Sequence, residues 1–72
     1  MLKSYLRHRM ADRNIDDITQ LIEVSGVSRN SINKLFRGTN LETLKLETLV
    51  KLCDALECNL SDLIEYKYES VS

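Results

Sequence analysis

The chain has 72 residues, 43% of them hydrophobic and 29% charged, with a formal net charge of −1. That composition is ordinary for a soluble globular protein, and so short a chain is expected to form one domain, residues 1–72, around a small core. No apolar run approaches the roughly 18 residues of a membrane span, and the N-terminal MLKSYLRHRM lacks the apolar stretch of a secretory signal.

Proline is absent and β-branched residues are scattered, which favours an all-helical fold. Leu2 to Arg13 reads as the first helix: Leu2, Leu6 and Met10 fall at i, i+4 and i+8, with Tyr5 beside them. Asn14 suits the left-handed position that closes such a helix. His8, the one histidine, falls on the polar side and is expected at the surface. Asp17 is the better N-cap for a second helix, its carboxylate meeting free amides and the positive helix end. The neighbouring pair Asp16 and Asp17 has no catalytic companion, so capping outweighs acid–base chemistry.

The second helix, to about Ser25, places Ile18, Leu21 and Ile22 on one face, and the third, Arg29 to Arg37, repeats the pattern with Ile32, Leu35 and Phe36. Between them, Ser25-Gly26-Val27-Ser28 has room for a sharp corner and little else. Gly26 supplies the positive φ that ends one helix, Val27 points an apolar side chain into the angle, and Ser28 caps the next. Two short helices joined at a steep angle by a glycine turn form a helix-turn-helix. Gly38 closes the third helix.

The polar face of that third helix carries Arg29, Asn30, Ser31, Asn33, Lys34 and Arg37, with no acid from Val24 to Thr39. An ordinary solvated helix mixes acids with bases, because i, i+4 pairs of opposite charge support it. A face of Arg, Asn, Ser and Lys instead offers donors suited to base edges and phosphates. The overall charge of −1 argues against a nucleic-acid binder, but its distribution argues for one. Residues 1–38 carry seven Lys and Arg against four acids, whereas residues 39–72 carry three against seven. Screening over about 8–10 Å hides the distant acids from a bound anion.

Thr39 to Lys45 reads as a polar connection holding Leu41 and Leu44, with room for one 3₁₀ turn. Leu46, Leu49, Val50, Cys53 and Leu56 then trace the apolar stripe of a fourth helix, about Leu46 to Glu57. Its N-cap slot falls on Lys45, a poor capper that points a cation toward a ligand instead. Asn59 starts a short fifth helix, with Asp62 at N3 in a capping box and Leu60, Leu63 and Ile64 facing inward. Tyr66-Lys67-Tyr68-Glu69 suits either a frayed end with a dimer role or a short strand paired with a second subunit.

Cys53 reads as a small buried hydrophobe and Cys58 as partly exposed. Their spacing fits no metal motif, and with no disulfide framework the chain is expected in the cytoplasm. There is no phosphate-cradling glycine loop and no Ser/His/Asp set, so neither an enzyme nor a cofactor is expected. No metal site, small-molecule substrate or membrane partner is expected either.

The pattern Leu21…Gly26-Val27-Ser28…Ile32…Leu35…Gly38, followed by LETLVKLCDALECNLSDLIEY, resembles the Cro/C1-type (lambda repressor-like) helix-turn-helix family over roughly Leu2 to Tyr66. The resemblance implies a compact bundle of five helices, with the helix-turn-helix at the second and third, binding double-stranded operator DNA as a homodimer. By position it places Ser28, Arg29, Asn30 and Asn33 at bases, and Lys34, Arg37, Thr39, Asn40 and Lys45 at phosphates, with Thr43 in the flanking loop. Three positions depart from the family pattern. Ile18 stands where many relatives carry a Gln or Ser that meets phosphate, Ile22 where Ala is usual, and Lys45 in place of a Ser cap. The implied function is a transcriptional regulator, most simply a repressor. A protein-interaction module with a protein partner, such as an antitoxin or anti-repressor, is the alternative.

Overall fold

The computed structural model describes residues 1–68. Five helices and two short strands follow in the order β1 (Leu2–Ser4), α1 (Leu6–Asp12), α2 (Ile18–Ser25), α3 (Arg29–Arg37), a 3₁₀ turn (Leu41–Thr43), α4 (Leu46–Leu56), α5 (Leu60–Leu63) and β2 (Ile64–Tyr66). The fold is mostly helical, as the sequence implies, with a two-stranded sheet added at the chain ends.

The helix boundaries follow local chemistry. Asp17 accepts a hydrogen bond from the Gln20 amide at 2.8 Å and caps α2, and Ser28 accepts from the Ser31 amide at 3.3 Å and caps α3. Gly26 and Gly38 end these helices in the left-handed region, each with φ of 71°. Asn14 takes the same region after α1 with φ of 55°. Lys45 occupies the N-cap of α4 in extended backbone without a side-chain capping bond, as its chemistry suggests. At α5 the Asp62 carboxylate accepts from the Asn59 amide at 3.1 Å. Arg13 reaches across to the far end of α4, where its guanidinium donates to the Leu56 carbonyl at 3.0 Å and so satisfies a terminal carbonyl.

The core sits where α1, α2, α3, α4 and α5 converge: Leu6, Leu21, Ile32, Leu35, Leu52, Leu56 and Leu63 are almost completely buried. α2 packs against α3 on one side and α4 on the other, which fixes the corner against the bundle.

Four expectations are corrected. The first helix begins at Leu6, not Leu2. Leu2, Lys3 and Ser4 pair antiparallel with Tyr66, Glu65 and Ile64, and Tyr5 N–H donates to the Leu63 carbonyl at 2.8 Å. The strand takes these residues because it supplies backbone partners from the other end of the chain, while Leu2 still packs on the core. The tail therefore neither frays from a helix nor waits for a second subunit to become a strand: Ile64–Tyr66 pairs within its own chain. Glu69 lies outside the described residues. In α4 the buried stripe is Leu49, Leu52 and Leu56, whereas Leu46 and Val50 are exposed at 63% and 48%. Leu60 is likewise exposed, leaving Leu63 as the buried anchor of α5.

Candidate nucleic-acid interface

The corner between α2 and α3 is held from inside by Leu21, Val27 and Ile32, all buried. Val27 N–H donates to the Ser25 hydroxyl at 3.2 Å, and that hydroxyl donates to the Leu21 carbonyl at 2.7 Å. The turn thus satisfies its own polar groups and fixes the angle at which α3 leaves α2. With Ile32 and Leu35 facing the core, the opposite face of α3 is turned outward. Ser28, Arg29, Asn30 and Arg37 are exposed, and Asn33 and Lys34 are half-buried.

Six of the nine sequence-derived contact residues meet in one surface cleft of about 220 Å³: Asn30, Asn33, Lys34, Arg37, Thr39 and Asn40. No carboxylate lines it. Asn40 adopts the left-handed conformation with φ of 52°, which turns the chain out of α3 and sets Thr39 and Asn40 on the rim. Lys34 Nζ donates to the Thr43 hydroxyl at 3.0 Å, and that hydroxyl donates to the Asn40 carbonyl at 2.7 Å. This chain of bonds orients the lysine toward the loop. The Asn30 and Asn33 amides have no hydrogen-bond partner among the described residues, leaving the bidentate donor–acceptor pair that matches adenine N6 and N7 free.

The other three residues stand apart from this cleft. Arg29 reaches back across the corner, its Nη2 donating to the Thr19 hydroxyl at 3.1 Å. Ser28 is committed as a cap, its own hydroxyl proton directed to Ser31 Oγ at 3.1 Å. Lys45 is exposed at the start of α4.

Two groups escape the sequence reading. Thr19 is exposed near the start of α2 and orients Arg29; it stands one residue after Ile18, where the family's phosphate contact is expected. Arg37 also borders a second cleft of about 170 Å³ with Ser4, Arg7 and His8, so the basic strip continues off α3 onto α1. The Arg7 guanidinium lies 4.2 Å from the centre of the Phe36 ring, a cation–π stack that leaves its N–H edges free. The signal for this extension was the absence of any acid before Asp12.

Away from this surface, Cys53 and Cys58 are both free and half-buried, and burial pushes the Cys53 thiol up to about 11. No group of three or more metal-ligating side chains forms among the described residues. No described helix is long and apolar enough to cross a membrane.

The model of the Cro/C1-type HTH DNA-binding domain matches residues 5–69. The chain belongs to this family. The Cro/C1-type match takes in every element from α1 to β2, with β1 outside it. No curated protein and no solved structure matches the chain. A Cro/C1-type domain binds DNA, and this makes the protein a DNA-binding regulator.

Proposed function

We propose that the protein is a sequence-specific transcriptional repressor, a single helix-turn-helix domain that binds a pseudo-palindromic operator as a homodimer in the cytoplasm and acts by occupancy rather than catalysis. The observation that carries this reading is the acid-free outer face of α3, with six donor-rich side chains around one cleft. In this reading Arg29 and the Asn30 and Asn33 amides read base edges, with Ser28 at the entry to the groove. Arg29 exchanges the Thr19 hydroxyl for guanine O6 and N7. Lys34, Arg37, Thr39, Asn40 and Lys45 hold phosphates, which position the helix without reading sequence. Repression is the simplest output, since an occupied operator that overlaps a promoter excludes polymerase.

Selection from a random duplex pool tests this. An inverted repeat is expected, with half-sites about 34–36 Å apart, one turn of DNA. Binding then weakens steeply with salt as condensed counterions are released. Arg29→Ala is expected to relax preference at one base pair at a cost of about 1–3 kcal/mol. Lys34→Ala weakens all sequences alike and lowers the salt slope by about 1. Indistinguishable specificity profiles for the two variants would overturn the assignment of roles, and a pool left unenriched by folded protein would overturn sequence-specific binding itself.

A further inference from the structure

The corner where α4 ends is closed by a backbone motif that brings two thiols together. Glu57 takes the left-handed conformation with φ of 51°. Cys58 N–H donates to the Cys53 carbonyl at 3.1 Å, and Glu57 N–H donates to the Asp54 carbonyl at 3.4 Å. These are the two bonds of a Schellman cap, which frequently sets the side chain after the left-handed residue against the one five positions earlier. Here those two side chains are Cys58 and Cys53. Both pack on the edge of the core, and both are half-buried, so neither is sealed from small solutes. The Cys53 thiol has Cys58 as a hydrogen-bond partner. The cap is also clamped from the side of α1. Arg13 donates to the Leu56 and Glu57 carbonyls at 3.0 and 3.4 Å and pairs with the Glu57 carboxylate at 3.1 Å. The spacing of the two cysteines fits no metal motif, yet the fold makes neighbours of them.

We propose that Cys53 and Cys58 form a reversible oxidation site, closed by a hydroperoxide to an intramolecular disulfide that staples the corner between α4 and α5. The Cys58 thiolate attacks the peroxide, the O–O bond breaks, and an alcohol or water leaves with a proton from solvent. Cys58 is then a sulfenic acid. Cys53 attacks that sulfur, the S–S bond forms, the S–O bond breaks, and the hydroxide leaves as water. The two thiols give up two electrons and two protons in all, and the peroxide takes them up. Cys58 reacts first, because the thiolate is the nucleophile and the Cys53 thiolate is scarce. Burial, then the charge and hydrogen bond of Cys58, then Asp54 and Asp62 push the Cys53 thiol up to about 11. Once Cys58 is a sulfenic acid, its charge no longer opposes ionisation of Cys53. The bond spans the turn that carries α5 away from α4, with Leu56 and Leu63 buried on either side. It therefore holds both anchors in the core when an oxidant is present. In a reducing compartment the staple is transient, since a dithiol reductant reopens it.

Hydrogen peroxide on the folded full chain, followed by alkylation and trypsin, tests the site. No Lys or Arg lies between the two cysteines, so both stay on one peptide, residues 52–67. That peptide is expected to refuse the alkylating agent and to be two hydrogens lighter, and to do both again after a dithiol has reduced it and peroxide has been renewed. Cysteines five apart can also close in an unfolded chain, so the decisive reading is an equilibrium one. In a glutathione buffer the constant for closing the disulfide is expected to be about tenfold or more larger in the folded chain than in urea. By linkage the oxidised chain then unfolds at a higher urea midpoint than the reduced one. A constant equal or smaller in the fold would overturn the proposal, as would disulfides formed only between chains, or two cysteines that remain open to alkylation. Single-cysteine variants test the order of steps. Cys53→Ser, which keeps Cys58, is expected to form a sulfenic acid that a dimedone probe captures about tenfold or more faster than in Cys58→Ser. Equal rates would overturn the assignment of Cys58 as the attacking thiol.

Discussion

The α2–α3 corner and the terminal sheet are made of different materials. The corner, Asp17 to Gly38, closes on itself: its caps, its glycine turn and its apolar wedge all lie within a few residues of what they contact. Leu21 and Ile32 are fully buried there. The sheet joins Leu2 to Tyr66 across almost the whole chain and buries little, its strands being half-buried to exposed. Among the described residues it is held by a short ladder of backbone bonds, by the packing of Leu2 and Ile64 on the core, and by a side-chain bond from the Tyr5 hydroxyl to Glu65 at 3.2 Å. A surface that must present side chains to a rigid duplex benefits from the first kind of construction.

The sharpest way to break this contrast is in the corner itself. Leu21→Ala deletes a side chain with no exposed area on α2, the helix that packs against both α3 and α4, and leaves a cavity. The expected loss is about 2–5 kcal/mol. For a domain this small that approaches the total stability. Urea unfolding followed by circular dichroism is expected to show a midpoint moved far down or a chain already unfolded. A loss below about 1 kcal/mol would mean that the corner is not where the core is fixed.

Gly26→Ala has a smaller effect with a different cause. A methyl group at Gly26 would touch nothing within 4 Å, so no clash arises. The cost comes from the backbone: φ is 71°, and an L-residue held there loses about 1–2 kcal/mol. The urea midpoint is expected to fall with the slope unchanged, because the surface exposed on unfolding is the same. Gly26→Asn should recover part of the loss, since Asn tolerates this region better than Ala. Equal losses for Ala and Asn would point to something other than backbone conformation.

The same contrast separates what could be read in the sequence from what could not. The Asp17 cap, the Gly26 turn, the Ser28 cap and the Gly38 stop are each written within a few residues, and each was legible. The Leu2, Leu6, Met10 spacing was equally local and misled at its start. Nothing near Leu2 announces that its backbone partner is Tyr66, because strand pairing at that separation leaves no local periodicity. In α4 two apolar stripes overlap, and choosing Leu49, Leu52 and Leu56 over Leu46 and Val50 requires knowing where α2 and α5 lie. The residues around the cleft were legible through a family pattern joined to an acid-free face. The Arg29–Thr19 bond was not, since it depends on the angle at which two helices cross.

The sheet provides the smallest and most selective test. The Tyr5 phenol is held above its ordinary value, first by burial, then by its hydrogen bond to Glu65 and by repulsion from that carboxylate. A phenol with a raised pKa adds stability below the unfolded value of about 10, and this is lost as pH rises through the folded value. Tyr5→Phe is therefore expected to lower the urea midpoint at neutral pH by less than Gly26→Ala does. The gap to the natural chain should narrow in alkali, where the natural phenol ionises and loses its bond. Spectrophotometric titration is expected to show one tyrosine ionising late, and Glu65→Gln should bring it down only in part, because burial remains. Complete return to the ordinary value would make Glu65, not burial, the main influence on Tyr5. If Tyr5→Phe proved as costly as Leu21→Ala, the sheet would be as firmly built as the corner, and the contrast between the two regions would fail.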